Sequence, residues 1–85
     1  MKQIEYVIKD ENGIHARPAG NLVAKLNEFK SKITFKCGDR SAEGKKLFAL
    51  MKMRVKKGET LVVEAEGEDE DAVVTAAKEF LEANL

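Results

Sequence analysis

Hydrophobic and polar residues alternate along some parts of the chain and recur at a helical spacing along others. Alternation predicts strands, because successive side chains of a strand point to opposite faces of its sheet. Such segments occupy residues 2–8, 32–37, 40–42 and 60–66. Apolar residues three and four apart predict helices, which occupy residues 16–29, 45–53 and the segment after residue 69. The elements therefore follow in the order β-α-β-β-α-β-α.

Each long helical segment carries one apolar stripe, which has to be buried against a second layer. We therefore predict an α+β fold, a two-layer open-faced sandwich in which three helices cover one face of a four-stranded antiparallel sheet. Phe29 and Phe80 lie on the stripes of the first and last helices, so we expect them in the core. A length of 85 residues predicts a single domain spanning residues 1–85.

Charge and composition narrow the classes of function. The chain carries 15 basic and 15 acidic residues, so its net charge is zero, and we expect no nucleic-acid partner, since binding to phosphate backbones usually needs a basic excess. No apolar run approaches the roughly 18 residues of a membrane-spanning helix, which predicts no membrane insertion. Cys37 is the only cysteine and there is one histidine. We therefore expect a cytoplasmic protein with no metal site.

The segment Gly13–Ala19 contains the candidate chemistry. His15, the only histidine, stands immediately before the first predicted helix, and Pro18 lies in the first turn of that helix. The first N–H groups of a helix have no partner within it and form an anion site, which would receive a phosphoryl group carried by the histidine. Arg17 adds a guanidinium that can pair with phosphate oxygens. A histidine before a helix can also be a simple surface residue or cap, and the spacing alone leaves both readings open.

Two motifs resemble those of the HPr family, the histidine-containing phosphocarriers of the bacterial sugar phosphotransferase system. Gly-Ile-His-Ala-Arg-Pro-Ala at 13–19 resembles the active-site signature of the family. The apolar and basic pattern from Lys45 to Gly58 resembles its second motif, and Gly67, Asp69 and Glu70 resemble the start of its last helix. The resemblance covers nearly the whole chain.

The resemblance implies a carrier that is not itself an enzyme. Phospho-enzyme I would phosphorylate His15 on Nδ1, and the phosphoryl group would pass to IIA domains of sugar permeases, with no cofactor and with the carrier as a monomer. It implies the following roles: catalysis by His15 and Arg17, phosphate binding by Ala16, Arg17 and Pro18, and partner binding by Gly20, Leu47, Phe48 and Met51. We expect Leu47, Phe48 and Met51 to be at least partly exposed, and Leu50 and Met53 to face the core.

Position 46 departs from the family pattern. Gram-positive members carry a regulatory serine there, whereas this chain has Lys46. Our hypothesis is that the protein lies outside control by the corresponding serine kinase. An alternative function remains open, in which the chain is a regulatory HPr-like paralogue that acts by protein–protein interaction in a nitrogen-related or other phosphotransfer branch.

Overall fold

The structure is a computed structural model that describes residues 1–85. Its elements are β1 (Lys2–Val7), α1 (Ala16–Leu26), β2 (Lys32–Cys37), β3 (Arg40–Glu43), α2 (Leu47–Lys52), β4 (Thr60–Glu66) and α3 (Glu70–Asn84). Their order is the one that the hydrophobic pattern predicts. None of the helices combines the length and the apolar character that crossing a membrane requires.

The four strands form one sheet in the order β1-β4-β2-β3, and every neighbouring pair is antiparallel. Strand β4 lies between β1 and β2, with Val63 paired to Ile4 on one side and to Phe35 on the other. Alternate side chains of β2 and β4, including Phe35, Leu61 and Val63, are completely buried. Their neighbours along the strands are more exposed and, apart from Val62, polar, so one face of the sheet packs on the core.

The helices supply the other half of the core. Their buried apolar side chains are Ala19, Leu22, Val23 and Leu26 of α1, Leu50 of α2, and Val73, Ala77 and Leu81 of α3. These residues join those of the sheet in one cluster of 20 buried residues. The predicted α+β sandwich, with helices covering one face of the sheet, is confirmed.

Helix α1 is shorter than the pattern predicts, because it ends at Leu26 rather than at Phe29. The backbone tightens there: the N–H groups of Glu28 and Phe29 donate to carbonyls three residues earlier, at 3.2 and 3.1 Å. The Asn27 side-chain amide also donates to the carbonyl of Val23 at 3.0 Å, and the backbone N–H of Asn27 donates to the same carbonyl at 2.9 Å. Apolar spacing continued past this point although the helix did not.

The two phenylalanines expected in the core are only half-buried. Phe29 and Phe80 line an open groove of about 650 Å³ beside α1 and α3. Phe29 lies beyond the end of α1, so it no longer follows the buried stripe of that helix. The prediction that both rings belong to the core is therefore wrong, and both pack at its edge.

Candidate functional site

His15 stands at the junction between an extended loop and helix α1. Its backbone is extended (φ −123°, ψ 172°), and it is the N-cap residue, although its ring makes no capping hydrogen bond. The His15 carbonyl accepts the N–H of Ala19 at 2.9 Å, which begins the helical ladder. The N–H groups of Ala16 and Arg17 have no backbone acceptor, and Pro18 has no N–H. Two backbone donors are thus available at the start of the helix.

The loop before His15 is docked on the chain that follows α2. Ile14 is buried, and its N–H donates to the carbonyl of Val55 at 2.9 Å. Gly13 has φ +65°, and a Cβ there would lie 2.3 Å from the Val55 oxygen. Only glycine adopts this conformation and this approach at low cost. The backbone that leads into His15 is therefore fixed by the segment around Val55.

Asp10 faces the histidine ring. Its Oδ2 lies 3.6 Å from Nε2 of His15, whose side chain is 41% exposed. This separation is longer than a hydrogen bond, so the interaction is electrostatic. The aspartate is itself held in place, because its N–H donates to the Leu85 carbonyl at 2.8 Å and its Oδ1 accepts the N–H of Asn12 at 2.8 Å.

A shallow surface hollow of about 190 Å³ joins these groups, and it is lined by Asp10, His15, Arg17, Pro18, Asn21 and Asn84. Arg17 is exposed and makes no ion pair with a carboxylate of the chain. Its positive charge is available to an incoming anion. The structure therefore brings His15, Arg17 and Pro18 together, with Ala16 in the same turn.

Sequence reasoning missed three side chains of this hollow. Asp10 precedes the segment Gly13–Ala19 in which we expected the chemistry, and the spacing of Asn21 and Asn84 carries no signal for the site. Asn84 lies at the other end of the chain and is brought here by the last turn of α3. Its side-chain amide donates to the Phe80 carbonyl at 3.0 Å, which leaves its oxygen free to accept.

The residues expected to bind partners differ in their exposure. The side chain of Phe48 is 77% exposed, whereas Leu47 and Met51, also in α2, are half-buried. Leu50 and Met53 are buried, as expected. Gly20 is half-buried, and a Cβ there would meet nothing within 4 Å. The exposure pattern of α2 is thus as predicted, whereas partner binding by these residues stays a prediction.

No group of three or more histidine, cysteine, aspartate or glutamate side chains is arranged to hold a metal ion. The hollow itself holds an imidazole, a carboxylate, a guanidinium and backbone donors. These groups can orient a ring nitrogen and hold an anion next to it.

The chain is similar to known proteins. The family model PTS-HPr, described as the PTS HPr component phosphorylation site, matches residues 2–83. The chain is 39% identical to the phosphocarrier protein HPr of Borreliella burgdorferi over 83 residues, covering 98% of this chain and 96% of that protein. It is 38% identical to the HPr of Mycoplasma pneumoniae over 84 residues, covering 96% and 94% of the two chains.

A solved structure of HPr from Thermoanaerobacter tengcongensis is also similar, with a TM-score of 0.92 at 30% sequence identity. The match covers 98% of this chain and 93% of the other. Similarity in sequence and in fold thus extends over almost the full length of the relatives. The chain belongs to the HPr family of phosphocarrier proteins of the phosphotransferase system.

Proposed function

We propose that His15 accepts a phosphoryl group on Nδ1 from phospho-enzyme I and donates it to IIA domains of sugar permeases. One observation carries the proposal: Nε2 of His15 faces the Asp10 carboxylate at 3.6 Å, beside a helix start whose first N–H groups are unsatisfied. Family membership supports the general role of a phosphoryl carrier. The geometry at His15 supports Nδ1 as the nitrogen that carries the phosphoryl group.

Asp10 favours one tautomer of the histidine. A neutral imidazole has one N–H and one lone pair, and the nearby carboxylate stabilises the form protonated on Nε2. The lone pair then lies on Nδ1, which makes no hydrogen bond within the chain. Nδ1 is therefore the nucleophilic nitrogen.

Transfer then needs no proton movement on this ring. The Nδ1 lone pair forms a bond to phosphorus while the phosphorus–nitrogen bond of the donor phosphohistidine breaks, and the bonding pair returns to the donor ring. The proton stays on Nε2 of His15, where Asp10 stabilises the positive charge that the ring acquires. Donation to the next protein reverses the same steps.

The start of α1 receives the negative phosphoryl oxygens. Ala16 and Arg17 each provide a free backbone N–H, and the guanidinium of Arg17 adds charge-assisted hydrogen bonds. Pro18 contributes shape, because its buried ring lines the hollow without competing as a donor. These donors stabilise the phosphoryl group most strongly when negative charge builds up on it during transfer.

Docking would use the apolar surface of α2 together with Gly20 of α1. Phe48 projects most, with Leu47 and Met51 half-buried behind it. Helices α1 and α2 pack together, so one partner can contact both. A modest apolar surface of this kind fits brief encounters, in which the same carrier meets its donor and then its acceptor.

The test is phosphorylation by phosphoenolpyruvate and purified enzyme I, followed by ³¹P NMR of a chain with ¹⁵N-labelled histidine. The wild type should give a phosphohistidine signal coupled to Nδ1, and His15→Ala should give none. Coupling to Nε2 would contradict the assignment of the atom. Absence of any signal from a folded wild type with active enzyme I would contradict the carrier function.

The second candidate is a regulatory HPr-like protein that acts by protein–protein interaction in a nitrogen-related or other phosphotransfer branch. Lys46 favours it, because this lysine occupies the position of the regulatory serine in Gram-positive members of the family. The two functions differ in the fate of the phosphoryl group. A carrier passes it to a sugar-specific IIA domain, whereas a regulatory protein keeps it until a different partner is added.

A further inference from the structure

Arg40, the first residue of β3, binds the loop that follows α2. Its Nη1 donates to the carbonyls of Met53 and Arg54, at 2.7 and 3.2 Å. Its Nε donates to the carbonyl of Cys37 at 3.3 Å, and its Nη2 donates to the carboxylate of Glu59. One side chain therefore connects the β2–β3 turn with the end of α2 and the start of β4.

Glu59 completes this connection from the other side of the loop. One of its carboxylate oxygens accepts from Arg40, and the other accepts the backbone N–H of Lys56 at 2.8 Å. The Lys56 N–H and the Arg40 guanidinium together hold the pKa of Glu59 below its ordinary value. Both side chains thus remain charged near neutral pH. Arg40 binds the start of residues 53–56 and Glu59 binds their end.

One residue of this loop has a backbone conformation that its surroundings must stabilise. Arg54 has φ +50°, and it is the only non-glycine residue of the chain with a positive φ. Side chains other than glycine occupy this region only when their surroundings impose it. The hydrogen bond from Arg40 to the Arg54 carbonyl is one such constraint.

The same loop supports the backbone of His15. Val55 lies between the two anchored ends of the loop, and its carbonyl accepts the N–H of Ile14 at 2.9 Å. Gly13 approaches the loop so closely that a Cβ would lie 2.8 Å from Cα of Lys56. Any shift of Val55 therefore moves the residue immediately before His15.

Asp10 is connected to the loop through Ile8, the residue that follows β1. The N–H of Ile8 donates to the Glu59 carbonyl at 3.0 Å, and the N–H of Gly58 donates to the Ile8 carbonyl at 2.8 Å. Asp10 follows Ile8 by two residues. The two partners of the His15–Asp10 pair are thus anchored to one loop by separate hydrogen bonds.

We propose that Arg40 and Glu59 are positioning residues for His15, because they fix the loop that sets the distance between the imidazole and the Asp10 carboxylate. The proposal rests on the proposed function of His15 and extends it to residues outside the hollow. Neither side chain touches the ring or lines the hollow. Their effect passes through the backbone of residues 53–59, in which Val55 holds Ile14 and residues 58 and 59 hold Ile8.

The test compares Arg40→Gln with Arg40→Lys and with a control, Lys36→Gln. Lysine keeps the charge but lacks the planar fork that serves several acceptors at once. The control removes an ion pair of Lys36 with Glu64, at 3.2 Å, on the strands β2 and β4 and away from the hollow. Each folded chain is examined by ¹⁵N NMR of the His15 ring nitrogens, and then by transfer kinetics from phospho-enzyme I.

Arg40→Gln should move the tautomer population of His15 away from the form protonated on Nε2. It should also lower the rate constant for phosphoryl transfer about tenfold, since small misplacements of reacting groups are costly, while KM changes less than the rate constant. Arg40→Lys should recover part of both effects, and Lys36→Gln should match the wild type. If Arg40→Gln does not fold, Glu59→Gln tests the same loop, because glutamine keeps an acceptor for Lys56.

Unchanged ring signals and rate constants in a folded Arg40→Gln chain, with an active wild type, would overturn the positioning role alone. A wild type that accepts no phosphoryl group would instead overturn the proposed function. The ring signals are recorded without any donor protein, so the two failures are distinguishable.

Discussion

Nε2 of His15 and Oδ2 of Asp10 lie 3.6 Å apart, across a turn that brings residues five positions apart in sequence to the same hollow. This relationship makes the two ring nitrogens unequal. One nitrogen faces a carboxylate, and the other makes no hydrogen bond within the chain, as the proposed attack of Nδ1 on phosphorus requires. In the proposed function Asp10 thus has a role that no sequence motif indicated.

Asp10→Asn should weaken the preference for the tautomer protonated on Nε2. The side chain keeps its size and its acceptor for the Asn12 N–H, so only the charge is lost. Because the pair is partly exposed, the effect should be about 1 kcal/mol or less, which corresponds to a change of up to about fivefold in the tautomer ratio. ¹⁵N NMR of the ring measures it. Asp39→Asn, in the exposed β2–β3 turn, is the control, and identical spectra for all three chains would exclude a role for Asp10.

Phe48→Ala should weaken docking while leaving the fold intact. The ring is 77% exposed, so its loss costs little stability, whereas an aromatic side chain at the centre of an interface often contributes more than about 1 kcal/mol to binding. We expect KM for transfer from phospho-enzyme I to rise at least about fivefold, with little change in melting temperature. Val7→Ala is the matched control, because Val7 is also exposed, at 49%, but lies in β1. Equal KM values for the two variants would contradict a docking role of Phe48.

The sequence predicted the fold better than it predicted the site. The alternation in β2 and β4 and the stripes of α1 and α3 were readable because burial follows their periods. The end of α1 was not, since the apolar spacing continues to Phe29 while the backbone tightens after Leu26.

The residues that the site prediction missed are distant in sequence from the His15 motif or carry no local signal. His15, Arg17 and Pro18 lie within one short motif, so their grouping is local. Asn84 reaches the hollow only through the tertiary fold. Arg40 and Glu59 are 19 positions apart in sequence, lie outside the hollow, and meet only through a tertiary contact. No periodicity indicates such a contact.

Gly13→Ala should destabilise the protein and disturb the site together. Alanine has to adopt φ +65°, and its Cβ would lie 2.3 Å from the Val55 oxygen. We expect the free energy of unfolding to fall by more than about 1 kcal/mol, with a slower transfer from phospho-enzyme I. Gly38→Ala separates the causes, because Gly38 has φ +60° with nothing within 4 Å of a Cβ. If denaturant melts show the same loss for both variants, the contact with Val55 contributes nothing.

Asp69 should make the fold sensitive to acid. The Ser31 hydroxyl, followed by the N–H of Lys30, holds the pKa of Asp69 below its ordinary value. A lowered folded-state pKa means that this stabilisation is complete above the unfolded value of about 3.9, and it is lost as the pH falls through the folded value. Asp69→Asn should therefore be less stable than the wild type at neutral pH, and the difference should shrink below about pH 4. Denaturant melts at successively lower pH measure this.

The control for that series is Asp71→Asn, in the same first turn of α3 but more exposed and paired only with Lys2 at 3.6 Å. Its stability should follow that of the wild type closely across the pH range. A difference between Asp69→Asn and the wild type that stays constant with pH would show that the lost group does not act through its charge.

Lys46→Ser should stabilise the protein. Lys46 is the N-cap of α2 and makes no capping hydrogen bond, and its ion pair with Glu43, at 3.2 Å, is exposed. Serine can accept an N–H of the first turn, which adds about 1 kcal/mol, and it removes a cation from the positive end of the helix. The lost surface pair offsets only part of this gain. The melting temperature should rise by several degrees, as about 1 kcal/mol corresponds to roughly 4–8 °C in a domain of this size.

The control is Lys57→Ser, at an exposed turn away from a helix start, which should give no such rise. If Lys46→Ser melts at or below the wild-type temperature, lysine at this position does not destabilise the start of α2.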